Sequence, residues 1–256
     1  MKQPSVVLDA HGHLGEWPRS MVIRGDAEGM VASMDAMGVA ATAVSAFRAL
    51  EPDVRAGNDE VAQAMKRYPG RFIGYAVVNP NYPALVLPES ERCLGELGMR
   101  GLKFHTDVHR YPFDGPNYVP ALEFAHERGL PILVHGVGSA NALTTISERY
   151  ENANFIVAHM GCWDGLTDDA VLKVVASRPN VYGDIASSYG YYRSLERLVE
   201  RAGAEKIIWG SDGPLHEPRA ELGRMLLSLC SAEELCLMLG GNFLRLLGLA
   251  GWPAAG

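Results

Sequence analysis

Short apolar runs recur along this chain, and between them lie stretches in which apolar positions return every three or four residues. The first pattern reads as buried strand and the second as amphipathic helix. Strands are predicted at 6–13, 41–47, 72–78, 101–105, 132–135, 155–159, 181–184 and 207–212. Helices are predicted at 27–37, 58–68, 85–97, 120–128, 140–150, 168–177 and 194–202, and again after Pro218. The punctuation agrees with these elements. Gly38, Pro69-Gly70, Gly129 and Gly203 stop helices, Asn58-Asp59-Glu60 offers a cap with an acidic first turn, and Ser231-Ala232-Glu233-Glu234 has the form of a capping box. Met30, Met34 and Met37 fall on one helical stripe and read as core filler.

Eight strands, each followed by a helix or helix-like segment, argue for a parallel sheet covered by helices. Eight such units in 256 residues match an α/β fold, a single (β/α)8 TIM barrel occupying 1–256 as one domain. An open doubly wound sheet is the alternative, since periodicity cannot see closure. No Gly-x-Gly-x-x-Gly follows a strand and no P-loop is present, which removes support for nucleotide-binding open sheets.

Composition narrows the classes of function. A net charge of −7 without a basic stripe disfavours nucleic acid as a partner. No window approaches the ~18 apolar residues of a membrane span, and the apolar run near the N-terminus is too short for a secretory signal. Cys93, Cys162, Cys230 and Cys236 show no C-x-x-C pairing, so reduced thiols in a cytoplasmic protein are expected. The expected partner is a small-molecule substrate, with no membrane or nucleic acid involved. Assembly into a homo-oligomer is left open.

In such barrels the chemistry sits where the strands end. Strand 1 ends in Asp9-Ala10-His11-Gly12-His13, strand 4 in Lys103 and His105, strand 5 in His135, strand 6 in His159 and strand 8 in Asp212. Only His109, His126 and His216 lie elsewhere. Residues at i and i+2 of a strand share a face, so Asp9, His11 and His13 are expected to project together, and paired imidazoles suit a transition metal.

This set of strand ends resembles the amidohydrolase superfamily. Asn58-Asp59, Pro69-Gly70-Arg71-Phe72, Gly101-Leu102-Lys103-Phe104-His105 and Gly241-Asn242-Phe243-Leu244-Arg245-Leu246 are similar to its amidohydrolase-2 branch. That branch contains metal-dependent hydrolases, lactonases and non-oxidative decarboxylases related to aminocarboxymuconate-semialdehyde decarboxylase. The resemblance implies that His11, His13, His135 and Asp212 hold one divalent metal, zinc first, with manganese or iron as alternatives. His159 would then lie close to the bound water, whose pKa a catalytic zinc lowers to roughly 7. Asp212 and His159 are the candidate catalytic residues, Asp212 as general base and His159 stabilising or protonating the reacting group. Asp9 either orients the ligands from behind or forms a salt bridge or cap at the barrel base.

Four further residues are candidate substrate contacts. Arg48 can grip a carboxylate bidentately, the alternative being a solvated loop arginine. Lys103 either bridges two metals as a carboxylated lysine, as in binuclear members of the superfamily, or pairs as an ammonium with an interior carboxylate or an anionic substrate. His105 is a pocket wall or a substrate contact. Trp163, beside Cys162, is expected at the pocket rim, with Tyr189, Tyr191 and Tyr192 near the mouth. Ser139 and Ser187 have no nearby base, which argues against a serine nucleophile.

The reading placed first is a metal-dependent hydrolase acting on a C–O or C–N bond of a small, carboxylated molecule. The alternative is a metal-dependent non-oxidative decarboxylase of an aromatic or muconate-like acid, which needs the same ligands. A barrel that only binds ligand is disfavoured by the intact ligand set.

Overall fold

The computed structural model describes residues 6–17, 24–51, 53–161, 169–186 and 192–249. Its strands are β1 (Leu8–Leu14), β2 (Ala41–Ala46), β3 (Phe72–Val77), β4 (Gly101–His105), β5 (Pro131–His135), β6 (Asn154–Val157), β7 (Val181–Asp184) and β8 (Ile207–Ile208). Neighbours in sequence pair in parallel, in the order β1 to β8. The ring is completed where β1 meets the segment after β8. Ala10 N–H donates to the Trp209 carbonyl at 3.1 Å, Asp212 N–H to that of His11 at 2.7 Å, and His13 N–H to that of Gly213 at 2.7 Å. The chain is therefore a (β/α)8 barrel, as the alternation predicts.

The helices are α1 (Ala27–Met37), α2 (Phe47–Leu50), α3 (Val54–Arg67), α4 (Pro83–Glu91), α5 (Thr106–His109) and α6 (Val119–Arg128) in the first half. The second half carries α7 (Ala140–Arg149), α8 (Asp169–Ser177), α9 (Ser194–Ala202), α10 (Pro218–Leu226), α11 (Ala232–Cys236) and α12 (Asn242–Leu246). Two cores result. Alternate strand residues such as Leu8, Ala41, Ile73, Leu133, Ile156 and Ile208 fill the barrel, whose base is plugged by Phe243 and Leu246 of α12. The other strand face packs against the helices through a larger shell that includes Val44, Phe72, Val134 and Phe155. Burying each such Leu, Ile or Phe side chain stabilises by about 1.5–3 kcal/mol, so the scaffold is set by its apolar residues and leaves the strand ends free for polar ones.

Several local expectations change. Asn58 is not a cap. Asp53 caps α3 one turn earlier, accepting from Ala56 N–H at 3.2 Å, and Asn58 is fully buried in the helix interior. Its amide accepts from Val77 N–H at 3.0 Å and donates to Glu89 at 3.1 Å, tying α3 to β3 and α4. The predicted helix at 85–97 divides into α4 and a wide π turn at Arg92–Glu96. The short helices α2 and α5, directly after β2 and β4, break no apolar pattern and were invisible to one. At Ser231 the capping box is present in full, with Ser231 Oγ accepting from Glu234 N–H and Glu234 from Ser231 N–H. Among the described residues no helix is long and apolar enough to cross a membrane.

Candidate metal and catalytic site

The site begins with a slip in β1. Register with β2 shifts between Asp9 and Gly12, so the simple alternation of faces fails there. Leu8 and Ala10 face the barrel interior, while Asp9 turns outward toward α1 and lines a cavity of about 390 Å³ with Met30 and Met34. The expectation that Asp9 shares a face with His11 and His13 is thus corrected, and the bulge is the reason. Asp9 instead braces the barrel seam. Its carboxylate accepts from the N–H groups of His11 (3.1 Å) and Ser211 (2.9 Å) and from the Ser211 hydroxyl (2.5 Å).

Past the slip, His11 and His13 point inward and are buried. His11 Nδ1 lies 2.9 Å from Asp184 Oδ2 at the end of β7. A carboxylate can only accept, so Nδ1 carries the proton and Nε2 presents a bare lone pair. That Nε2 is 3.4 Å from Asp212 Oδ1 and 2.9 Å from Lys103 Nζ. His13 contacts Ser45 Oγ through Nδ1 at 3.2 Å and Asp212 Oδ1 through Nε2 at 3.1 Å. Its ring stacks on Phe47, which stacks in turn on Trp17.

Asp212 and His159 both sit just beyond their strands in the left-handed region, each at φ 56°. Outside glycine this conformation costs about 1–2 kcal/mol, and here it turns both side chains into the mouth. His159 is held from two directions. Its N–H donates to Asp184 Oδ1 at 3.0 Å, and its Nδ1–H donates to the Ala186 carbonyl at 2.5 Å, leaving Nε2 3.3 Å from His135 Nδ1. His135 and His105 are direct partners across the β4–β5 ladder, and their rings stack at 4.0 Å. His135 Nε2 faces Asp107 at 3.4 Å.

Electrostatics favour neutral imidazoles. Burial lowers the pKa of His11, His13, His105 and His135 and holds His159 down to about 3. Burial alone would raise Asp212, but the His13 hydrogen bond, with the neighbouring imidazoles and Lys103, holds it at about 2. Burial also pushes the Asp184 carboxyl up and the Lys103 ammonium down. Neutral imidazoles beside an ionised carboxylate are the protonation states a metal needs.

The donor set fits a divalent cation. Ligand atoms about 2.1 Å from one ion stand about 3.0–3.4 Å apart, and Asp212 Oδ1 stands 3.1 Å from His13 Nε2 and 3.4 Å from His11 Nε2. His11, His159 and Asp212 also bring one ligand atom each within 4.8 Å of one another. The structure therefore gathers His11, His13, Lys103, His105, His135, His159 and Asp212 at the barrel mouth.

The remaining candidates lie apart. Arg48, in the first turn of α2, is more than half exposed and pairs with Asp53 at 2.8 Å. It lines a cavity of about 620 Å³ shared with Phe47, the residue against which His13 stacks. Trp163, Cys162, Ser187, Tyr189 and Tyr191 lie outside the described residues, and Tyr192 is exposed. Ser139 caps α7, accepting from Ala142 N–H, as its lack of a base anticipates.

Two residues escape the strand-end reading. Asp184 ends β7 as His135 ends β5, and the same rule that selects Asp212 selects it. His216, one turn beyond Asp212, has Nε2 3.6 Å from Asp212 Oδ2, and nothing in its sequence context marks it.

The amidohydrolase family model (Amidohydro_2) matches residues 8–249. The chain belongs to that family. Among curated relatives it is similar to 2-amino-3-carboxymuconate-6-semialdehyde decarboxylase of Dictyostelium discoideum, 24% identical over 236 aligned positions. That match covers 75% of this chain and 65% of the enzyme, just under two-thirds of its length. Among solved structures, this member of the family resembles 2,6-dihydroxybenzoate decarboxylase from Rhizobium, with a TM-score of 0.74 at 18% identity over 98% of this chain and 100% of that one. It also resembles 5-carboxyvanillate decarboxylase from Novosphingobium aromaticivorans, solved with bound manganese, with a TM-score of 0.78 at 15% identity over 95% and 97%. At these identities the structural likeness is one of fold.

Proposed function

We propose that this amidohydrolase family member is a metal-dependent non-oxidative decarboxylase of a small aromatic or muconate-like acid. What carries the reading is the convergence of buried neutral imidazoles, one ionised carboxylate and the interior ammonium of Lys103 at the barrel mouth. The three relatives described above are decarboxylases by name. Hydrolysis of a lactone, ester or amide, the reading placed first on sequence, would use the same side chains and gives way for that reason.

His11, His13, His135 and Asp212 would hold one divalent metal, with His159 completing the wall beside it. The imidazole-plus-carboxylate set suits zinc and manganese alike, and manganese is the ion found in the Novosphingobium relative. Such a cation supplies Lewis acidity toward a substrate oxygen. The chain supplies the rest. Lys103 and Arg48 would receive the substrate's negative charge, and His105 would form a wall of the pocket. Asp212 starts ionised, would take a proton from solvent at Oδ2 and would deliver it to the carbon that loses its carboxylate. The carbon–carbon bond breaks, its electron pair stays on that carbon, and carbon dioxide leaves. His216, beside Oδ2, lies on the path by which the proton is restored. The free cysteines Cys93, Cys230 and Cys236 are consistent with a reducing, cytoplasmic setting.

The test is a panel of aromatic carboxylates and lactones given to the manganese- and zinc-loaded protein. Carbon dioxide release from carboxylates with no acid release from lactones is expected. Lactone opening without carbon dioxide would restore the hydrolase.

A further inference from the structure

His11 Nε2 is the atom through which β1 would meet a metal, and it is also the atom that Lys103 Nζ approaches at 2.9 Å. Because Asp184 keeps the proton on Nδ1, Nε2 has a single lone pair and serves one partner at a time. Lys103 is fully buried, and among the described residues that lone pair is its one hydrogen-bond partner and no ion pair is formed. An ammonium with three N–H groups gains little from such a place unless its charge is needed there. It is needed: Asp184 and Asp212 are both buried around the same imidazole.

We infer that Lys103 and the metal are alternative occupants of His11 Nε2, so that the lysine balances the carboxylates whenever no ion is bound and must turn away for the ion to bind. The inference rests on the proposed metal site and goes beyond it, because it gives the lysine a role opposed to that of a ligand. A bridging lysine would strengthen metal binding, whereas a competing one weakens it. A dication at the imidazole removes the need for the ammonium and repels it. Turned out of the ligand position, the lysine becomes available to an incoming anion.

The experiment is a chelator-competition titration with Mn²⁺ alone, on the purified full chain stripped of metal. Lys103→Met keeps the length of the side chain without its charge, and Lys103→Gln serves if the methionine variant does not fold. Either is expected to bind Mn²⁺ about tenfold or more tightly than the parent, a change on the scale seen when groups contacting a metal ligand are altered. Lys103→Arg, which keeps the charge, should show no such gain. Unchanged or weaker binding in the neutral variants would overturn the inference while leaving the metal site standing. A parent protein that binds no Mn²⁺ or Zn²⁺, with His11→Ala indistinguishable from it, would overturn the site itself.

Discussion

The two sides of the barrel mouth carry the same residue type in different ways. On the β1–β8 side, His11 and His13 are each fixed at Nδ1 by a separate acceptor or hydroxyl, Asp184 and Ser45, and both aim Nε2 at one oxygen of Asp212. On the β4–β6 side, His105 stacks on His135 and His135 meets His159 edge to face at 4.8 Å, so ring packs against ring. There the outermost acceptor, Asp107, is more than half exposed. Two imidazoles steadied at Nδ1 and turned toward one carboxylate oxygen suit the first side to holding an ion. On the second side His135 would still reach the ion, while the outer edge at His105 and Asp107, nearest solvent, would be left to meet substrate.

That contrast can be broken by substitution. The largest effect is expected from Asp212→Asn, which keeps an oxygen beside His11 and His13 but removes its negative charge and the proton carrier. Turnover should fall by about 10²–10⁴-fold, with circular dichroism showing a retained fold, and wild-type turnover would refute the role. Asp184→Asn comes next. It should weaken Mn²⁺ binding by about 10–100-fold in a chelator titration, because the amide can present N–H to His11 and release its tautomer.

The third expectation concerns pH. In the metal-free protein six buried imidazoles, His11, His13, His105, His109, His135 and His159, have pKa values below 6.5, with His109 at about 4 and His159 at about 3. Unfolding lets them take up protons as pH falls below 6.5, which destabilises the fold in acid. Asp9, raised to about 7, and Asp184, also raised, act in the opposite sense between about 4 and 7. The imidazoles outnumber them. The unfolding midpoint should therefore drop as pH is lowered from 6.5 to 5, by about tenfold in the folding equilibrium per pH unit for each net proton. A midpoint that rises over this range would reverse the argument. The smallest effect is expected from His105→Phe, which preserves the stack on His135. It should leave Mn²⁺ affinity unchanged and alter KM, so a loss of metal would erase the distinction between the two sides.

Much of this arrangement was legible in the sequence because apolar strands announce their own ends. Histidines at 11, 13, 135 and 159 and the aspartate at 212 needed only the rule that barrel chemistry sits there. What periodicity could not convey was departure from regular backbone. The register slip in β1 sends Asp9 outward, and left-handed turns place His159 and Asp212 after their strands rather than in them. Asn58 looked like a cap because asparagine favours caps, yet its amide is satisfied by β3 and α4, which no local pattern reveals. Asp184 was visible as a strand end, but its partner His11 lies 173 residues away.

The seam between β1 and the segment after β8 has a consequence for how the protein is made. Asp9 and Ser211 clasp each other across 202 residues of chain, and the hydrogen bonds around them run through His11 and Asp212. Contacts of such long range form late, after the entropy of closing the ring has been met. During synthesis, a chain that has emerged only as far as β7 owns four of the five metal-site side chains and cannot yet assemble them. Ion uptake at the proposed site would thus report that the barrel has closed.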